Sequence, residues 1–180
     1  MNEHDRKTIF KGILFNIEQM DVEVGLKGCH TFQVIRHPGG AGVLPVHDDG
    51  TISMIRQLRP AVDKMVMEIP AGRLSPGEPP IECARRELLE ETGFRTERMV
   101  SLGTILSSPG VFDEVIHLYA ALGLAEGVAE PEADEVIEVV RLKIDEVLAM
   151  AADGRISDAK TLAALFRWHL LQGHDEYGNA

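Results

Sequence analysis

Three carboxylates crowd into one short stretch of the chain, Arg86-Glu87-Leu88-Leu89-Glu90-Glu91-Thr92-Gly93. On a helix, Glu87 and Glu91 stand at i and i+4 and Glu90 at i+3 from Glu87, so the three project near one another. Ile81, Ala84, Leu88 and Thr92 form a separate stripe at helical spacing, suited to packing on a sheet. The acidic edge therefore borders the core face and is not simply opposite it. Like charges at these spacings destabilise a helix unless something compensates them. A hard divalent cation is the natural compensation, because Mg²⁺ prefers carboxylate oxygen and keeps waters and phosphate oxygens in its shell. Arg86, four residues before Glu90 and within reach of Glu78, is placed to brace the cluster. The bland alternative is a solvated acidic face, which suffices for the Glu90-Glu91 pair taken alone.

The elements that must position these groups follow from the flanking pattern. Pro79 and Pro80 fit only the first turn of a helix, and Gly93 sits where a helix end favours a left-handed residue, so a helix is predicted over residues 79–92. The glycine-bearing loop 72–77 lets the backbone turn sharply into it and carries a main-chain carbonyl toward a metal. Upstream, short strands are predicted at 8–10, 13–17, 22–24 and 31–35, punctuated by Gly12, Gly25 and Gly28. His37-Pro38-Gly39-Gly40 breaks that pattern. Strands at 42–46 and 52–57 flank the turn Asp48-Asp49-Gly50, and a short strand at 67–69 ends at Pro70. Further strands are expected at 101–106, 115–121 and 136–142, then helices at 144–152 and 158–172. Residues 173–180 read as a polar, frayed tail. The alternation of strands and helices argues for a mixed α/β domain.

Composition limits the partners. The 180 residues suit one domain with a small appendage. A formal net charge of −11 disfavours nucleic acid, although a small phosphorylated substrate is admissible where metal cations neutralise the site. No apolar run approaches the ~20 residues that span a bilayer, and the polar start offers no signal-like core. Cys29 and Cys83 have no CxxC spacing. A reduced, cytoplasmic protein without membrane contact is expected.

The complete pattern, not the glutamate pair, carries the argument. Gly72, Glu78, Arg86, Glu87, Glu90, Glu91 and Gly93, with Leu88 and Phe94, fill every fixed position of G-x5-E-x7-R-E-U-x-E-E-x-G-U, where U is a bulky apolar residue. With residue frequencies of ~7%, a chance match somewhere in the chain is on the order of 10⁻⁶. The segment resembles the box of the Nudix hydrolases. Outside it, the chain resembles the ADP-ribose pyrophosphatase group. The resemblance runs over roughly residues 8–172, through Arg56-Gln57-Leu58-Arg59-Pro60, Glu68-Ile69-Pro70-Ala71-Gly72 and Pro109, sixteen positions past Gly93. It continues in the acidic loop Glu130-Pro131-Glu132-Ala133-Asp134-Glu135 and in Asp153-Gly154-Arg155-Ile156-Ser157-Asp158.

The resemblance implies an α/β fold, the Nudix α/β/α sandwich with a mixed sheet, plus a small N-terminal antiparallel β subdomain. The implied boundaries are 1–40 for that subdomain, 41–172 for the catalytic domain and 173–180 for the tail. It implies that Glu87, Glu90 and Glu91 bind Mg²⁺, with Mn²⁺ possible, that the carbonyl of Ala71 or Gly72 completes the shell, and that Glu78 pairs with Arg86 as a brace. Glu135, or second Glu132, would activate the attacking water. Arg59 is the first choice to hold substrate phosphates, followed by Arg56, with Pro109 and Glu114 near the substrate and Asp113 beside them. The implied substrate is ADP-ribose or a related nucleoside-diphosphate sugar, with GDP-mannose a close alternative. A homodimer is implied, its N-terminal strands reaching across to form the nucleobase cleft. A non-catalytic, nucleotide-sensing Nudix domain is the competing class, disfavoured by the intact box. Phe10, Phe15 and Phe32 are read as core, as are Trp168, Leu165 and Leu171 on the last helix. The seven histidines show no metal-ligand spacing.

Overall fold

The computed structural model of the protein describes residues 6–130 and 136–177. Three N-terminal strands, β1 (Lys7–Lys11), β2 (Asn16–Glu23) and β3 (Cys29–Arg36), form an antiparallel sheet in sequence order. After it come β4 (Gly40–Pro45), β5 (Thr51–Arg59), β6 (Lys64–Glu68) and β7 (Ala71–Arg73). Helix α1 (Pro80–Thr92) leads to β8 (Phe94–Arg95), β9 (Arg98–Leu106), β10 (Val115–Leu122) and β11 (Ala125–Glu126). Strand β12 (Ile137–Lys143) runs into α2 (Ile144–Ala152), and α3 (Ala159–Tyr177) follows.

The centre is a mixed sheet in the order β7-β4-β10-β9, in which β4 and β10 are parallel and the other pairs antiparallel. A second, antiparallel sheet runs β12-β5-β6. Alternation along β4 gives the mixed sheet two apolar faces. Ala41 and Val43 pack with Cys83, Ala84 and Leu88 of α1. Leu44 packs on the other side with Ile52 and Met54 of β5, Val147 and Met150 of α2, and Ala164, Leu165 and Trp168 of α3. The sheet is thus sandwiched between α1 and the other two helices, the α/β/α arrangement expected. Among the described residues no helix is long and apolar enough to cross a membrane.

Several local expectations are corrected. The stretches expected as strands at 13–17 and 22–24 are the two ends of a different unit. Gly12 N–H donates to the Phe15 carbonyl at 3.0 Å, closing a tight turn, and one long β2 then pairs with β3 from Asn16 to Glu23. Helix α1 begins at Pro80, with Pro79 extended at φ −62°, ψ 136°, because a residue that precedes proline is pushed out of the helical region. Residues 71–73, overlapping the expected loop 72–77, form strand β7, whose three residues are too few to show a period. Helix α3 runs on through Gly173 to Tyr177, where a frayed tail was expected. Phe10, Phe15 and Phe32 are 49%, 39% and 44% exposed, not core. Three strands have too little sheet behind them to bury both faces, and the Phe10 and Phe15 rings meet each other at 5.9 Å instead. On α3, Trp168 and Leu165 are buried as expected but Leu171 lies on the outer side and is exposed.

The start of α3 is tied to the sheet by one buried hydroxyl. Asp158 caps the helix, accepting from Thr161 N–H at 2.9 Å and from Thr161 Oγ1 at 2.6 Å. Thr161 Oγ1 in turn accepts from the Ile69 N–H at 2.9 Å, and both residues are wholly buried. Thr161→Val keeps the shape but strands that N–H, and is expected to lower stability by about 1–3 kcal/mol. Urea unfolding measures it, and a midpoint equal to wild type would contradict the assigned bond.

Candidate active site

Helix α1 carries its acidic edge where the core face ends. Ala84 and Leu88 are fully buried on the sheet, and Glu87 and Glu91 sit beside them at 8% and 2% exposure. Gly93 ends the helix at φ 74°, donating to the Leu89 carbonyl at 2.8 Å. A Cβ there would meet Ala129 N at 3.1 Å, so glycine suits both the conformation and the space. The loop before α1 is held from both ends. Ala71 N–H donates to Glu91 Oε2 at 2.9 Å, and Ser75 N–H to Glu78 Oε2 at 2.9 Å.

Arg86 binds this edge together. Its Nε donates to Glu78 Oε1 at 3.0 Å, and its Nη1 to Glu87 Oε1 at 2.6 Å and Glu90 Oε2 at 2.9 Å. Its Nη2 reaches the Arg73 carbonyl at 3.2 Å. The guanidinium is held more firmly protonated than usual, first by the Glu78 hydrogen bonds and also by Glu87 and Glu90, against its desolvation. The Arg86 bonds likewise hold the Glu78 carboxyl below its ordinary range. Behind them the Cys83 thiol is pushed up to about 12, by burial first and then by the Glu87 and Glu78 charges. It stays a neutral thiol, facing the carbonyls of Gly72 and Arg73 at 3.7 and 3.6 Å.

These groups fit a hard cation. The donors are all oxygen, and buried carboxylates require a positive partner. Among the described residues no group of three histidine, cysteine, aspartate or glutamate side chains is assembled to hold a metal ion, so a divalent cation at this edge would need backbone, water or phosphate oxygens to complete its shell. The backbone of Gly72 forms the wall of the cradle: a Cβ there would stand 1.8 Å from Glu87 Oε1.

Beside the loop lies a cleft of ≈ 350 Å³. Its walls include Ala71, Gly72 and Arg73, Arg59 of β5, His37, Ser107 and Glu114, and Asp158 and Lys160 at the start of α3. Arg59 donates to the buried Glu68 from Nε at 2.8 Å and from Nη2 at 2.7 Å. Lys160 Nζ reaches the same carboxylate and also Asp158 Oδ1, at 3.0 Å. Burial pushes the Glu68 carboxyl up, but Arg59 and Lys160 together outweigh it and hold it below its ordinary value. Glu114 stands 3.3 Å from His37 Nδ1.

The structure brings together most of the residues singled out in the sequence. Ala71, Glu78, Arg86, Glu87, Glu90 and Glu91 form one cluster, with Arg59 and Glu114 in the adjoining cleft. Arg56 is not among the cleft's walls; it pairs with Glu138 at 3.0 Å on the neighbouring strand. Arg56 and Arg59 are three apart on β5 and so face opposite sides of the sheet. Pro109 lies in the turn between Ser107 and Glu114 without itself lining the cleft. Glu132 and Glu135 lie outside the described residues. Sequence reasoning missed Glu68 and Lys160 as a pair. The available signals were a lone charge in the apolar run Met65-Val66-Met67-Glu68-Ile69, and a lysine in the first turn of a helix, where the macrodipole opposes it.

The sequence and the fold both match known proteins. The NUDIX domain model matches residues 36–165. The chain is 39% identical over 159 residues to a methanol dehydrogenase activator of Bacillus methanolicus, covering 87% of this chain and 86% of that one. It is 34% identical over 162 residues to an ADP-ribose pyrophosphatase of Bacillus subtilis (strain 168), covering 89% and 88%. It is also 39% identical over 139 residues to a GDP-mannose pyrophosphatase of Yersinia enterocolitica, covering 72% of each. Among solved structures, one described as an ADP compounds hydrolase superposes with a TM-score of 0.81 at 22% identity, over 98% of this chain and 95% of that one, a likeness of fold. The chain belongs to the Nudix family. Within it, the chain falls in the ADP-ribose pyrophosphatase-like group and is a pyrophosphohydrolase.

The Gly72 wall makes a specific demand. Gly72→Ala forces the Glu87 carboxylate from its place, and a displacement near 1 Å at a reacting centre costs about 10²-fold in rate. Turnover of whichever nucleotide the wild type cleaves is expected to fall by about that factor, with melting temperature little changed. Turnover at the wild-type level would show that Glu87 need not lie against Gly72.

Proposed function

We propose that the protein hydrolyses the diphosphate linkage of ADP-ribose or a closely related nucleoside-diphosphate sugar, giving a nucleoside monophosphate and a sugar phosphate. The observation that carries this reading is the adjacency of a braced carboxylate cluster to a cleft whose walls bear Arg59 and Arg73. Carboxylates hold cations and the cationic walls attract phosphate, as a metal-assisted diphosphate cleavage requires. The similarity to ADP-ribose pyrophosphatases favours ADP-ribose, and the Yersinia relative keeps GDP-mannose as a second reading.

Glu87, Glu90 and Glu91, with the Ala71 carbonyl, would hold Mg²⁺, or Mn²⁺ in its place. The chemistry a divalent ion supplies there is polarisation of phosphoryl oxygen and a lowered pKa for a bound water. Arg86 and Glu78 keep the ligand carboxylates in register. Arg59 grips phosphate oxygens with its planar fork, while Glu114 and the turn carrying Pro109 border the sugar. Arg56 serves the substrate only if a second subunit brings a cleft to its face of the sheet. Glu135, with Glu132 as second choice, takes the proton of the attacking water. The water oxygen bonds to phosphorus, and the bridging oxygen leaves with the other phosphate.

The domain division proposed is 1–40, 41–172 and 173–180, with residues 1–40 serving dimerisation and the nucleobase. Exposed apolar side chains support this. Ile13 and Leu14 at the first turn and Leu26 near the second are 99%, 60% and 109% exposed. Deleting residues 1–37 is expected to give a monomeric or poorly soluble species. Sedimentation of that truncation as an intact dimer would contradict the assignment. Localisation in the cytoplasm is part of the same proposal.

The deciding experiment is phosphate release through a coupled monoesterase, in Mg²⁺ and then Mn²⁺, across ADP-ribose, GDP-mannose, UDP-glucose, diadenosine polyphosphates and nucleoside triphosphates. ADP-ribose is expected to lead, with AMP and ribose 5-phosphate as products. Preference for GDP-mannose would move the substrate and keep the chemistry, whereas triphosphate preference would overturn the reading. Glu91→Gln is expected to remove most turnover while the fold persists, and near-wild-type rates in Mg²⁺ would refute the metal assignment.

A further inference from the structure

Two cations converge on one buried carboxylate at the edge of the cleft, and they are not equivalent. Glu68 is 2% exposed and accepts from Arg59 at both oxygens and from Lys160 at Oε2. A carboxylate so buried must keep a positive partner, because removing its last one leaves an uncompensated charge in a low-dielectric place. It needs one such partner, not two. Lys160 is itself nine-tenths buried and is held a second time by Asp158 Oδ1 at 3.0 Å. Asp158 is in turn fixed by its cap bonds to Thr161. The Arg59 side chain is 38% exposed and shares the cleft wall with Gly72 and Arg73. Lys160 is thus the anchored cation and Arg59 the one with room to turn.

We infer that Lys160 is a positioning residue: by satisfying Glu68 on its own, it leaves Arg59 free to exchange that carboxylate for the diphosphate of an incoming nucleotide. This deepens the reading given under Proposed function and rests on it for the identity of the ligand. Without Lys160, Arg59 becomes the remaining counter-ion of Glu68, and every Arg59–phosphate contact must be made at the expense of a buried charge. The planar fork that binds two carboxylate oxygens in the resting protein is the same geometry that binds two phosphate oxygens.

The test reads affinity and turnover separately. In wild type and Lys160→Met, calorimetry gives the Kd for ADP-ribose in EDTA, and the coupled assay gives KM and kcat in Mg²⁺. Loss of one charge-assisted grip predicts Kd and KM raised about ten- to a hundredfold, with kcat kept within a few-fold. Lys160→Arg is expected to restore both, and Lys160→Gln reads the same quantity should the methionine variant not fold. The decisive comparison is in a Glu68→Gln background, where a neutral amide no longer claims Arg59. There Lys160→Met is expected to change the Kd by less than about twofold. Equal weakening in both backgrounds would mean that Lys160 attracts the ligand directly and would overturn the inference, as would an unchanged Kd in the single variant or no wild-type affinity at all. Failure of the wild type to cleave any nucleotide in the panel would sink the substrate reading alone, since the EDTA titration still decides Lys160.

Discussion

The site depends on a single guanidinium placed among carboxylates that would otherwise drive each other apart. Glu87 and Glu91 are buried because α1 must bury Ala84 and Leu88 beside them, so the helix cannot turn its acidic edge to solvent without losing its core contacts. Arg86 resolves the conflict locally by donating to Glu78, Glu87 and Glu90 at once. Its tight hold on its proton and the depressed carboxyl of Glu78 are two views of that one arrangement. Because the bonds to Glu78 cross from the helix to the loop before it, the brace also fixes where the loop backbone stands relative to the helix.

The segment Glu68-Ile69-Pro70-Ala71-Gly72 joins this cluster to the second one. At its first residue, Glu68 gathers Arg59 from β5 and Lys160 from α3. At its second, the Ile69 N–H is held by Thr161. Its fourth, Ala71, donates its N–H to Glu91, and its fifth packs against the Glu87 carboxylate with no room for a side chain. Proline between them removes backbone freedom. Five consecutive residues thus tie the carboxylate cluster to the Glu68 pair formed with Arg59 and Lys160.

How far the sequence revealed this depended on whether the interactions were local. Arg86, Glu87, Glu90 and Glu91 lie on one helix, so helical spacing places them together, while the place of Glu78, in the loop before that helix, came from the resemblance. The end of that helix was legible from Gly93, and its start was legible to within one residue from Pro79 and Pro80. Lys160 and Glu68 are 92 positions apart in the chain, and no period connects them; each gave only the weak sign of a charge in the wrong company. Strand β7 was invisible because three residues carry no alternation, and the span of β2 was hidden by apolar residues in the turn at Ile13 and Leu14. The N-terminal phenylalanines are exposed despite their apolar character, because a residue on a three-stranded sheet has no second layer of its own chain to enter.

The carboxylate cluster and the turn that borders the cleft are held by different elements of the fold. The carboxylates sit on α1 and its loop, braced from within. The wall of the cleft that bears Glu114 is held instead by the N-terminal sheet. Ile35 pairs with Phe112 in a parallel bridge, and Ile35 N–H donates to the Val111 carbonyl at 2.8 Å. Arg36 ties Asp113 at 3.0 Å to Glu18 at 2.8 Å, while the His37 N–H also holds Asp113, at 2.9 Å. These bonds tie the turn carrying Pro109 and Glu114 to the N-terminal sheet, and the chain leaving that sheet also reaches the loop before α1, where the Leu74 N–H donates to the Gly39 carbonyl at 3.1 Å.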